Sequence, residues 1–206
     1  TDREEGLIGE KLGCNADVRG ILRVRGMGTA YAHHGVVFGD TAWNFDGQEI
    51  FKRAVMAMAH ASQDVLAKTG HTIGEIDLVV PHQANLRIIE SVAKRVGAPM
   101  DRVFVTVHRY GNMSSATVPV ALVDALEEGR VKPGALILMP AFGAGLTWCS
   151  HLVRWGERTT PIGTADIELP PCNQTALERV RELIANKQPP DRSAAGLAAA
   201  KLAEIP

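Results

Sequence analysis

The spacing of apolar positions becomes regular from Phe45 onward. In "FDGQEIFKRAVMAMAHASQDVLAKTG" the residues Phe51, Val55, Met58, Ser62 and Val65 recur at the three-to-four spacing of one helical face. Asp46 and Glu49 have the spacing of a capping box, Phe45 and Ile50 that of a hydrophobic staple, and Gly70 stands where helices stop. The pattern predicts a helix that starts near Gly47 and runs ~20 residues. Next, "EIDLVV" is a short continuous apolar run, the mark of a strand covered on both faces. Leu86, Ile89, Ala93 and Val96 then line a second helical face, and Gly97 with Pro99 ends it. The unit repeats with "RVFVTV" as strand, "GNMSSA" as turn and "TVPVALVDALEEG" as helix, Pro119 being tolerated only near the first turn. Lys132-Pro133-Gly134 has type II turn chemistry before a third strand, "ALILMP". The corner "AFGAG" leads straight into "LTWCSHLVRW", too close for a parallel crossover, so that strand is predicted to be an antiparallel neighbour.

These elements predict an α/β layer with a mixed sheet. Three regions follow from the changes in character: an incoming strand and loop segment over 1–44, the patterned part over 45–156, and an extension over 157–206. The extension holds one predicted helix, "TALERVRELIANK", between "ELPPCNQ" and "KQPPDR". Strands apolar on both faces need cover on two sides, and the helices of this pattern are few for that task.

Charge narrows the partners little. With 22 basic and 23 acidic residues in 206, the formal net charge is −1, which gives no global pull toward nucleic acid or an anionic membrane. No apolar run approaches the ~20 residues of a spanning helix, and a cytoplasmic protein is expected. Cys14, Cys149 and Cys172 lie far apart without C-x-x-C spacing, so neither a zinc site nor a redox pair is expected. No metal cluster is visible.

The chemistry concentrates at strand ends, where open α/β sheets bind ligands. His82 follows the first apolar run, Asn112 the second, and the "AFGAG" loop the third. Singly, such a histidine is more often a structural hydrogen-bonder, and Gly-Asn is ordinary turn chemistry. Placed on consecutive strand, loop and helix units, the two could present neutral N–H donors to one oxygen, as an oxyanion hole does for an enolate.

Three ordered motifs, "VPHQANLRIIE", "RYGNMSSATVPVAL" and "AFGAGLTWCSHLVRW", make the chain from about Phe45 to Trp155 resemble the carboxyl-terminal half of β-ketoacyl-[acyl-carrier-protein] synthase III. The resemblance implies the carboxyl-terminal half of a thiolase-like α-β-α-β-α fold, its mixed sheet ending in an antiparallel strand. It also implies an acyltransferase that condenses an acyl-coenzyme A primer with malonyl-acyl-carrier protein, with loss of carbon dioxide, to start fatty-acid synthesis. His82 and Asn112 would be two members of a Cys-His-Asn triad. The nucleophilic cysteine would come from the complementary half of the fold, since none of the three here sits between small residues at a strand-to-helix turn. A homodimer of the complete enzyme is expected, and no resident cofactor, acyl-coenzyme A being a substrate.

The resemblance further implies a substrate channel at Gly47, Phe51, Asn85, Ile88 and Phe142. It implies carrier-protein contacts at Gln83, Ala84, Asn85, Leu86 and Arg87, joined by the basic residues Lys94, Arg95 and Lys52. Met113 replaces the family's usual threonine and Ala144 a common glycine. Alternative readings are a thiolase-fold enzyme handling a longer acyl group in secondary metabolism, or a non-catalytic partner subunit. His33, His34, His60, His71, His108 and His151 share no spacing that makes a site, and Trp148 and Trp155 alternate as packing residues.

Overall fold

The computed structural model describes residues 5–24, 43–160, 171 and 173–185. His33, His34, Cys172 and the Ala-rich end lie outside them. The chain divides into two units, 1–23 with 44–161, and 24–43 with 162–206.

The first unit is built on a four-stranded sheet in the order β1 (Gly6–Cys14), β6 (Thr147–Arg154), β5 (Leu136–Gly143), β4 (Leu78–Val79). β4 and β5 are parallel, whereas β5–β6 and β1–β6 are antiparallel, so the predicted mixed sheet with an antiparallel last strand forms. Short β2 (Leu22–Val24) and β3 (Trp43–Phe45) make a separate pair.

The alternation of side chains across the strands explains the layers. Val79, Leu136, Leu138 and Leu152 pack against α1 (Gly47–Thr69) and α2 (Leu86–Val96) through Val65, Leu66, Ile89 and Ala93. Leu78, Val80 and Ile137 point the other way, onto Ala121 and Ala125 of α4 (Thr117–Glu127). Both faces are thus covered, as the unbroken apolar strands require. α4 is apolar almost all round, and its outward Val123 remains 51 % exposed.

The caps were legible in part. The Asp46 side chain accepts the Glu49 N–H at 3.1 Å, and Gly70 closes α1 in the left-handed region at φ 73°. The reciprocal arm of the capping box does not form: the Asp46 N–H donates to the Ile21 carbonyl at 3.0 Å, and the Glu49 carboxylate pairs with Arg53 at 2.8 Å. Nor does Phe45 act as a staple, because it is 63 % exposed. Leu86, expected on the inner face of α2, is 46 % exposed, since the buried face is Ile88, Ile89, Val92, Ala93 and Val96.

"RVFVTV" is not a strand. It contributes one parallel bridge, Val79 to Val103, with the Phe104 N–H donating to the Val79 carbonyl at 2.8 Å. Beyond it the amides of Thr106 and Val107 turn to the Gln83 side chain instead of a neighbouring strand, and a short helix, α3 (Val107–Tyr110), follows at once. In the second unit, α5 (Ala176–Ala185) starts at a capping box between Thr175 and Glu178.

Candidate active site

Backbone pairing carries His82 to the end of the sheet. The amides of Asp77, Val80 and His82 donate to the carbonyls of Leu136, Leu138 and Pro140 at 3.0, 2.9 and 2.9 Å, so the parallel register outlasts the two residues of β4. The half-buried imidazole then reaches α4: Nδ1 lies 2.5 Å from the Thr117 hydroxyl oxygen. Burial lowers the His82 pKa from its ordinary 6.5, which favours the neutral ring.

Asn112 sits in the turn between α3 and α4. Gly111 before it has φ 68° and ψ −158°, a region open essentially to glycine alone. The Asn112 side-chain oxygen accepts the Ser114 N–H at 2.9 Å, and Ser114 itself is left-handed at φ 57°. This fixes the amide with its NH2 unengaged among the described residues. Arg109 and Tyr110 of α3 both bond the buried Asp124 of α4, at 3.1 and 3.3 Å, which braces the turn from both sides. A continuous path therefore joins the two candidate donors: His82 to the Thr117 hydroxyl, the Thr117 backbone N–H to the Ser114 carbonyl, and the Ser114 N–H to Asn112. Thr117 and Ser114 escaped the sequence reading, although "SSAT" at the start of a helix is a recognisable hydroxyl-rich entry.

Phe51, Ile88 and Phe142 come together in one apolar cluster with Ile50, Met58 and Leu146, and Ala84 packs on its edge. Phe142 and Ile88 are buried there, which is core packing as much as channel lining. Gly47 is exposed at the start of α1. Asn85 caps α2, its side-chain oxygen accepting the Ile88 N–H at 2.9 Å.

Gln83 departs most from expectation. It is fully buried, its NH2 donates to the carbonyls of Pro81 and Phe104 at 2.8 and 3.1 Å, and its oxygen accepts from Thr106 and Val107 at 2.8 and 3.1 Å. With all four hydrogen-bonding positions used, its side chain has none left for a partner protein. Arg87 is exposed, with its guanidinium 5.6 Å from the centre of the Phe51 ring, and Lys52, Lys94 and Arg95 are exposed as well.

Neither described cysteine is set up as a nucleophile. Cys14 is exposed at the end of the edge strand β1, and burial pushes the Cys149 thiol up, away from the reactive thiolate. Among the described residues no cluster of His, Cys, Asp or Glu could hold a metal ion, and no helix is long and apolar enough to cross a membrane. His60 and His108 are exposed, His71 Nδ1 meets the Thr69 carbonyl oxygen at 3.0 Å, and neither these nor His151 joins the site. Trp148 packs on the Phe142 cluster and Trp155 on the cluster under α4.

Comparison with known proteins converges on one family. Residues 66–155 match the family model "3-oxoacyl-[acyl-carrier-protein (ACP)] synthase III C terminal". The chain is 49 % identical over 184 residues to β-ketoacyl-[acyl-carrier-protein] synthase III 2 of Vibrio cholerae, covering 89 % of this chain and 51 % of that protein. Among solved structures, the β-ketoacyl-[acyl carrier protein] synthase III of Thermus thermophilus aligns with a TM-score of 0.67 at 38 % identity, over 76 % of this chain and 48 % of its own. The priming β-ketosynthase of the R1128 polyketide biosynthetic pathway aligns with a TM-score of 0.65 at 30 % identity, over 76 % and 47 %. The chain spans about half the length of the curated relatives it matches. By sequence and by its thiolase-like α/β fold, this chain matches the carboxyl-terminal part of the β-ketoacyl-[acyl-carrier-protein] synthase III family.

Proposed function

We propose that this chain supplies the enolate-stabilising part of an acyltransferase that condenses an acyl-coenzyme A primer with malonyl-acyl-carrier protein. The single observation that carries the reading is the hydrogen-bonded path from His82 to the Thr117 hydroxyl, from the Thr117 backbone N–H to the Ser114 carbonyl, and from the Ser114 N–H to Asn112. It organises two neutral side chains whose remaining N–H groups are uncommitted, on a rigid sheet end and a braced turn.

The chemistry assigned to them is specific. An acyl group is first transferred from coenzyme A to a cysteine, which in this reading belongs to the part of the relatives' length that this chain does not span. The malonyl thioester then loses carbon dioxide, and the electron pair of the broken C–C bond moves into the thioester to give an enolate. His82 and Asn112 donate to the enolate oxygen as its charge develops. The enolate carbon attacks the acyl-cysteine carbonyl, the cysteine thiolate leaves, and a 3-oxoacyl carrier protein results. Arg87, Lys94, Arg95 and Lys52 form a basic surface suited to an acidic carrier protein. The apolar outward side of α4, with Val123 exposed, supports burial against the complementary half of the fold and assembly into a larger particle, here taken to be a homodimer.

A second reading keeps the reaction and changes the primer. The likeness to a priming β-ketosynthase of a polyketide biosynthetic pathway supports a place in secondary metabolism, with Met113 and Ala144 as the residues that differ in the motifs. The test is mass spectrometry of the carrier protein after incubation of the assembled enzyme with malonyl-carrier protein and acyl-coenzyme A primers of increasing length. A 3-oxoacyl product is expected, and its length profile chooses between the two readings. No 3-oxoacyl product from any primer contradicts both.

A further inference from the structure

Thr117 opens α4 with helical backbone angles, φ −60° and ψ −43°, and its side chain is fully buried. Its hydroxyl oxygen is 2.5 Å from His82 Nδ1 and 3.0 Å from the Ser114 carbonyl oxygen. A hydroxyl has one proton and can give it to only one of these acceptors. The Ser114 carbonyl is already served, because it accepts the backbone N–H of Thr117. Nδ1 of His82 has no other partner among the described residues and is the nearer of the two.

We infer that Thr117 gives its hydroxyl proton to Nδ1 of His82 and so holds the ring in the form that carries its own proton on Nε2. This rests on the donor role proposed above for His82 and adds the residue that makes His82 a donor. A neutral imidazole has one N–H, and the hydrogen bond made by one nitrogen decides which nitrogen carries it. With the proton on Nδ1, the ring would turn a bare lone pair toward the enolate oxygen and repel it. Burial keeps the ring neutral, so the position of one proton, not a charge, separates a donor from an acceptor. Thr117 is a positioning residue: it acts on the reaction through His82.

The test reads the proton directly. In the assembled, active protein labelled with 15N-histidine, long-range 15N–1H correlation spectra separate protonated from bare ring nitrogens, and His82→Gln identifies the signals. The wild-type ring is expected to show a protonated Nε2 and a bare Nδ1. A wild-type ring protonated on Nδ1 overturns the inference with no positional variant needed. Thr117→Val removes the hydroxyl at nearly constant shape. It should move the proton onto Nδ1 and slow carbon dioxide release ~100-fold, the size of losing one preorganised donor, with KM for the carrier protein unchanged. Thr117→Ser should restore both. A Thr117→Val protein with the wild-type ring signals contradicts the inference, and if that variant does not fold, the wild-type and Thr117→Ser spectra decide. Ring signals that move while decarboxylation does not would keep the Thr117 assignment and remove the donor role of His82.

Discussion

The side-chain oxygen of Gln83 accepts the backbone N–H of Thr106 at 2.8 Å, deep in the protein and one residue after His82. Through this bond and three others, a single amide replaces the ladder that a full strand over Val103–Thr106 would have made. Gln83→Leu should therefore destabilise the protein, by about 1–3 kcal/mol for the buried Thr106 N–H alone. Thermal unfolding of the two proteins measures it. A melting temperature equal to wild type would show that the clamp is dispensable.

Arg87 lies beside Phe51 on the exposed side of α2, with Lys94 and Arg95 further along the same helix. Arg87→Glu is expected to raise KM for malonyl-carrier protein several-fold while reaction with malonyl-coenzyme A stays nearly constant, and added salt should shrink the difference. Steady-state kinetics with both donors at two ionic strengths checks this. Equal loss on both would move Arg87 from the docking surface to the coenzyme site.

The lowered pKa of His82 links stability to acid. Above 6.5 the ring is neutral whether the chain is folded or unfolded, and it makes no difference. As pH falls through 6.5 the unfolded chain binds a proton first, so stability is lost until the folded ring protonates as well. Denaturant unfolding from pH 7.5 downward should show His82→Gln losing less stability than wild type over that window. Parallel curves for the two would mean that the folded ring titrates normally.

Val123 tests whether the outer side of α4 is an interface. At 51 % exposure, Val123→Asp should cost this unit little stability by itself yet weaken assembly with the rest of the fold. Sedimentation and condensing activity of the complete protein report on it, and unchanged assembly would leave α4 solvent-facing.

How much of this could be read beforehand differs from element to element. α1 and α2 were readable because their apolar positions recur at helical spacing and because Asp46, Gly70 and Gly97 are caps whose chemistry is local. The antiparallel β5–β6 hairpin was readable from its short connection. β1 was not placed in the sheet, because its glycines hide the strand pattern: Gly9 and Gly13 leave room for Thr69 and the Trp148 ring, which a Cβ would strike. The strand over "RVFVTV" was lost to Gln83, since β-branched residues signal an extended backbone but not what that backbone bonds to. His82 and Asn112 stood out in the sequence by their place after two apolar runs, while Thr117, which bonds His82, looked like any helix-opening threonine.

The account stands on His82 and Asn112 holding the enolate oxygen, and the most direct measurement separates the two half-reactions. In the complete enzyme, transfer of a radiolabelled acyl group to the cysteine is followed alongside release of carbon dioxide from malonyl-carrier protein, for wild type, His82→Ala and Asn112→Ala. Both variants are expected to keep acyl transfer and to lose carbon dioxide release by ~100-fold or more. Loss of acyl transfer with decarboxylation intact would contradict it.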